Sequence, residues 1–271
     1  MQISLFQVDA FTDKLFRGNP AAVCPLDKWL PDELMQSIAL ENNLSETAFF
    51  VPKGNGYHIR WFTPTTEVDL CGHATLATAH VLYTHLGCND ISINFDSRSG
   101  QLSVSKDAGH YIMDFPADFT EHVLAPKVLT EAIKASPKEI LAGREDFMVV
   151  LASEAEVAAL EPDFQLLKKV KSRGLIVTAP GEEVDFVSRC FFPNAGIDED
   201  PVTGSAHTTM TPYWAERLSK QALTARQIST RGGQISCTML GDRIALAGKA
   251  VTYLEGKIYL TQRDLGLGPN S

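Results

Sequence analysis

The stretch from Asp69 to Leu86, DLCGHATLATAHVLYTHL, constrains this chain more than any other. After Cys71-Gly72-His73 it becomes a run of small and apolar residues rich in alanine and leucine, which favour a helix. Ala74, Leu76, Ala77, Ala79, Val81, Leu82 and Leu86 fall on nearly every side of that helix. A helix apolar all round belongs inside a protein, so the rest of the chain must wrap it. Cys71, Gly72 and His73 then stand at its mouth, where the first backbone N–H groups lack partners within the helix and attract anions.

The plan occurs twice. In the first half a strand ends at Pro52, IRWFTP (Ile59 to Pro64) follows, and seven residues later Cys71 stands just before a helix. In the second half a strand ends at Pro180, SRCFFP (Ser188 to Pro193) follows, and seven residues later Asp200 stands just before a helix from about Ser205 to Leu218. The period is far too long for a solenoid and indicates a duplicated domain. Each half is expected to wrap short strands around one apolar helix, the first half over residues 1–118 and the second over 119–271, with the final residues free to return to the first. A cleft between two such halves is a usual place for a ligand.

Alternation predicts strands that include Ile3 to Phe11, Thr47 to Val51, Tyr57 to Phe62, Phe147 to Leu151, Gly174 to Ala179, Val184 to Phe192 and Ile228 to Thr230. Pro212 falls inside the second central helix and should kink it. Arg231-Gly232-Gly233 lacks the spacing of a phosphate loop and reads as a hairpin turn.

Charge and cysteine usage exclude several classes. The net charge is -9, which argues against a nucleic-acid or anionic-membrane partner. A small anionic metabolite is still admissible, because one arginine or one helix N-terminus can hold it. The five cysteines are odd in number and scattered, and the chain runs straight into MQISLFQVDAF, so reduced thiols in a cytoplasmic protein are expected. No apolar stretch approaches the length of a membrane span.

Each candidate for chemistry has an ordinary structural alternative. Glu46, beside Phe49, Phe50 and Val51, could be a desolvated acid/base or a solvated residue at a strand entrance. His73 could donate to a substrate carboxylate or be a hydrogen-bonded core histidine; His80 and His85 read as structural. Cys71 could be a nucleophile or proton carrier at a helix mouth, or a packing residue. Cys71, His73, His80, His85 and Cys88 fit no zinc spacing, and no metal is assigned. In Asp200-Pro201-Val202-Thr203-Gly204-Ser205, Asp200 and Thr203 can cap a helix, and N–H groups at Gly204 and Ser205 would make an anion site.

These motifs, GNPAAV (Gly18 to Val23), LSETAFF (Leu44 to Phe50), RWFTP (Arg60 to Pro64), DLCGHATLATA (Asp69 to Ala79) and EDPVTGSAH (Glu199 to His207), together resemble the PhzF-like proteins and span nearly the whole chain. The resemblance implies an α+β, diaminopimelate epimerase-like fold: two similar domains, each a β-barrel-like sheet around a central helix, with the active site between them. It implies a cofactor-independent isomerase and a homodimer. It makes Glu46 the catalytic acid/base, gives His73, Asp200 and Ser205 the task of holding substrate and completing the site, and puts Gly72 and Gly204 at the helix mouths with Cys71 beside them. Related racemases use two cysteines. Here the second mouth has none, and Cys190 lies too far upstream in sequence to substitute. The alternatives are a racemase or epimerase using Cys71 with another partner, and a non-catalytic binding protein that keeps the fold.

Overall fold

A computed structural model describes residues 1–261 and Asp264. The described residues form two units, one of Met1–Asp114 with those from Gly248 onward, the other of Phe115–Ala247. The unit borders therefore differ from a simple halving of the sequence, because the last long strand, Ala250–Tyr259, pairs antiparallel with the first, Gln2–Ala10.

In the first unit Gln2–Ala10 also pairs antiparallel with Asn19–Pro25, which runs parallel to Glu46–Lys53. Glu46–Lys53 pairs antiparallel with Gly56–Phe62, which runs parallel to Ser92–Ser97, and Gly100–Asp107 and His110–Pro116 complete an antiparallel meander. The first central helix, Gly72–Thr84, packs against strands from both ends of this order. Every residue from His73 to Leu82 is buried, as a helix apolar on all sides requires. Leu86 lies beyond the helix and is 46% exposed, so it is not part of that core.

The second unit repeats the order strand for strand. Glu139–Ala142 pairs antiparallel with Asp146–Val150, which runs parallel to Gly174–Pro180. Gly174–Pro180 pairs antiparallel with Phe186–Phe192, which runs parallel to Ala222–Gln227, and Gly233–Leu240 and Arg243–Gly248 complete the meander. Glu121–His122 flanks Glu139–Ala142 as Ala250–Tyr259 flanks the first strand. The second central helix is Gly204–Leu218.

The duplication extends to individual ion pairs. Arg60 of IRWFTP makes a two-pronged pair with Glu67, both contacts at 2.7 Å, and Arg189 of SRCFFP does the same with Glu199 at 2.7 and 2.9 Å. A planar guanidinium matched to a carboxylate fixes orientation as well as charge. Each pair ties its strand to the segment that leads into the central helix.

Two expectations need correction. Ile228 to Thr230 is not a strand; the strand is Ala222–Gln227, and residues 228–232 turn it into Gly233–Leu240, with Gly232 at φ 67°. That turn agrees with the reading of Arg231-Gly232-Gly233. Nor does the seven-residue spacing identify equivalent residues. The residue that precedes the first helix is Cys71 and the one that precedes the second is Thr203, so Cys71 corresponds to Thr203 and not to Asp200.

Pro212 leaves the helix continuous from Gly204 to Leu218. A proline there cannot donate to the Thr208 carbonyl. That carbonyl accepts from the Asp118 N–H at 3.2 Å instead. Among the described residues, no helix is long and apolar enough to cross a membrane.

Candidate active site

Glu46 is placed by its two neighbours in sequence order. The helix Asp32–Asn42 stops at Asn43, which takes the left-handed conformation at φ 50° and donates to the Ala39 carbonyl. Asn42 then donates to the Thr47 hydroxyl at 3.1 Å, and Glu46 opens the next strand opposite Ala21. Asn19 is placed by Gly18, whose φ of 66° and position 2.1 Å (as a notional Cβ) from the Ala10 carbonyl oxygen admit only glycine.

The first unit brings Glu46, Cys71, Gly72 and His73 together at the mouth of its central helix. His73 Nε2 lies 3.1 Å from Glu46 Oε2, both side chains about nine-tenths buried. The contact has the distance of an ion pair but not the alignment of a hydrogen bond, so both atoms are buried without an aligned partner. A small rotation of either side chain would align them. The other ring nitrogen, Nδ1, lies 3.3 Å from the Asn19 amide nitrogen and 3.5 Å from the Cys71 sulfur.

The electrostatics of this cluster separate its members. Burial opposes a charged imidazole at His73, but Cys71 and the Glu46 carboxylate outweigh it, and His73 titrates well above its ordinary value. Cys71 is pushed up to about 11, chiefly by burial and then by Glu46. The three side chains offer ligand atoms within 4.8 Å of one another, a donor set that a thiophilic divalent ion could use.

The second unit brings Asp200, Thr203, Gly204 and Ser205 together. Thr203 occupies the N-cap position but makes no side-chain cap; its hydroxyl donates to the Asp200 carboxylate at 2.5 Å. Asp200 therefore braces the entry loop and does not cap the helix. Gln227, fully buried, clamps the same loop: its amide donates to the Asp200 carbonyl at 2.7 Å and its oxygen accepts from the Thr203 N–H at 2.8 Å.

Aligned on their first residues, the two mouths read Cys71-Gly72-His73-Ala74-Thr75 and Thr203-Gly204-Ser205-Ala206-His207. In each the fifth side chain bonds back to the N-cap carbonyl, Thr75 Oγ1 to Cys71 and His207 Nδ1 to Thr203, both at 2.7 Å. Burial lowers His207 to about 4, so its ring is neutral.

Sequence distance proves the wrong reason to dismiss Cys190. It lies directly opposite Asp200 in the strand register. Complete burial raises its thiol well above the ordinary value. His80 contacts the Tyr111 hydroxyl at 2.9 Å, and both His80 and His85 contact the Thr252 hydroxyl, at 2.8 and 2.7 Å.

Sequence reasoning missed Asn19, Gln227, Arg173 and Asp146. Asn19 lay inside the GNPAAV motif and could have been singled out; the others are joined to the site only by contacts distant in sequence.

A strand order repeated in two units, each around a buried helix, with a carboxylate and a histidine at one helix mouth, defines an epimerase-like isomerase fold. The chain belongs to the family described as phenazine biosynthesis-like protein, whose family model matches residues 8–256. It is 52% identical, over 96% of its length and all of the relative's, to a protein of Pseudomonas aeruginosa described as an uncharacterized isomerase. A crystal structure of a PhzF-family protein from Enterococcus faecalis covers 96% of this chain and all of its own, at 47% identity and a TM-score of 0.94. A hydroxyproline epimerase from Agrobacterium vitis shares the fold at 8% identity and a TM-score of 0.64, covering 98% of this chain and 97% of its own. The enzyme class is isomerase.

Proposed function

We propose that this isomerase moves a proton between two carbons of a small carboxylate-bearing metabolite, with Glu46 as the carrier and no cofactor. The observation that supports it most is the buried contact between Glu46 and His73, 3.1 Å apart at the mouth of the first central helix. The carboxylate takes a proton from a carbon acidified by a neighbouring electron-withdrawing group, becomes the neutral acid, exchanges its proton with solvent in a fraction of turnovers, and returns a proton to a different carbon of the same bound molecule. The imidazolium of His73 balances the carboxylate's charge before transfer and can donate to an oxygen of the substrate on which charge develops. One carboxylate serves both steps if the substrate stays bound between them.

Gly72 and Cys71 shape the first mouth in this reading, Gly204 and Ser205 offer an anion site at the second, and Asp200 keeps the second mouth in form through Thr203. The proposed enzyme is a homodimer, as the family resemblance implies. All five cysteines are free thiols, which suits a cytoplasmic protein.

The test is a pool of small carboxylates incubated with the protein in deuterium oxide and read by mass spectrometry. The proposal expects one isomeric pair to interconvert, with deuterium appearing at carbon. Interconversion with no deuterium at carbon in either isomer, under conditions where the carrier exchanges with solvent, would contradict it.

A further inference from the structure

The duplication shows what the second unit carries where the first carries Glu46. Arg60 and Arg189 are equivalent, and they pair with Phe49 and Val177 in their respective registers. Glu46, three residues before Phe49, is therefore equivalent to Gly174, three residues before Val177. The residue just ahead of Gly174 is Arg173.

Arg173 reaches the second residue of its central helix just as Glu46 does. Glu46 contacts His73, the residue after Gly72; Arg173 Nη2 lies 3.3 Å from Oγ of Ser205, the residue after Gly204. The guanidinium is held firmly. Its Nε donates to Asp146 Oδ1 at 3.0 Å and its Nη2 to Asp146 Oδ2, while Nη1 lies 3.3 Å from Glu145 Oε2. Asp146 is 3% exposed and lies opposite Gly174 in the parallel register. The guanidinium also lies over the Phe192 ring, 5.3 Å from its centre. A side chain at Gly174 would meet that ring at 2.2 Å, so the glycine permits the stack.

A guanidinium donates and never accepts, so in this contact Ser205 Oγ is the acceptor. Its single proton must then point away from Arg173. Asp146 and Glu145 already neutralise the guanidinium, so what the arrangement offers is an oriented hydroxyl and not a bare positive charge.

We propose that Arg173 is a positioning residue which, through Ser205, turns the second helix mouth into an oriented donor for an oxyanion of the substrate, a carboxylate being the class that fits. Within its own unit, Arg173 with Ser205 stands where Glu46 with His73 stands in the first, and its task is recognition of an anion. The inference rests on the proposed function for the role of Ser205.

The test uses the full chain labelled with 15N and two probes of the same shape, benzoate and the uncharged benzamide. Benzoate is expected to shift the Gly204 and Ser205 amide signals saturably, and benzamide to bind about tenfold or more weakly. Ser205→Ala and Arg173→Gln should each weaken benzoate about tenfold, and the double variant no further, because the two act as one unit. Arg173→Lys should not restore binding, since one ammonium cannot span Asp146 and Ser205 as the fork does. Arg173→Gln leaves Asp146 buried without its partner, so Arg173→Gln with Asp146→Asn is measured beside it. That variant should keep the wild-type circular dichroism and still bind benzoate as weakly as Ser205→Ala. Wild-type benzoate affinity in this folded variant, additive losses, or no benzoate shift at Gly204 and Ser205 would each overturn the inference. Deuterium exchange that fails while the Arg173 effect stands overturns the proton-transfer reading alone; the reverse pattern overturns this inference alone.

Discussion

Replacing Glu46 with glutamine should change how stability depends on pH, and the size of the change follows from the contact with His73. Two unit charges 3.1 Å apart at an effective dielectric constant of about 20 attract by about 5 kcal/mol, and together with Cys71 this contact outweighs the cost of burying the imidazolium. His73 is accordingly raised in the folded state above its unfolded value of about 6.5. A raised folded value means that the stabilisation is fully present below about pH 6.5 and is lost as pH climbs through the folded value. Within that window the folded state holds one more proton than the unfolded, and stability falls by about 1.4 kcal/mol per pH unit. Glu46→Gln removes one of the two groups that raise His73, Cys71 being the other, so this slope should weaken. Urea unfolding followed by tryptophan fluorescence at pH 7 and pH 8 measures it. The wild type should lose up to about 1.4 kcal/mol more than the variant over that unit. Parallel pH dependence in the two proteins would refute the reasoning.

Three further outcomes follow from the structure. Cys71, buried and pushed up to about 11, should resist iodoacetamide at pH 8 while the half-buried Cys88 reacts; peptide mass spectrometry checks this, and equal rates would contradict it. Leu76→Ala should cost about 2–5 kcal/mol by chemical denaturation, whereas Leu86→Ala, outside the core, should cost less than about 1. Pro212→Ala should gain far less than the roughly 3 kcal/mol usual for relieving a mid-helix proline, because Asp118 already satisfies the Thr208 carbonyl; calorimetry reads the difference.

The buried helix and the duplication could be read in the sequence because both are carried by contiguous residues. An all-apolar run needs a wrapping sheet, and IRWFTP and SRCFFP keep the arginine whose partner is Glu67 in one unit and Glu199 in the other. Equivalence within the mouths was not legible. Thr203 lies ten residues after Pro193, against seven from Pro64 to Cys71, and spacing alone cannot say which residue begins a helix. The strand Ala222–Gln227 was missed because its inward face ends in Gln227, a polar side chain that breaks an apolar alternation but satisfies buried backbone groups of the Asp200–Thr203 loop. Arg173 follows Lys168, Lys169 and Lys171 and reads as one more solvated cation; only the fold sets it beside Asp146, 27 residues away, and Ser205. Glu46 and His73 were both legible through their motifs, but their contact was not, because a contact between strand entrance and helix mouth has no local signature.

The central claim is that Glu46, and not Cys71, carries the proton. The most direct measurement is the rate of deuterium uptake from solvent into the isomeric pair found in the carboxylate pool, compared among wild type, Glu46→Gln and Cys71→Ala. The account expects Glu46→Gln to lose about a thousandfold or more and Cys71→Ala to stay within about threefold of wild type. Exchange that survives in Glu46→Gln and collapses in Cys71→Ala would contradict it.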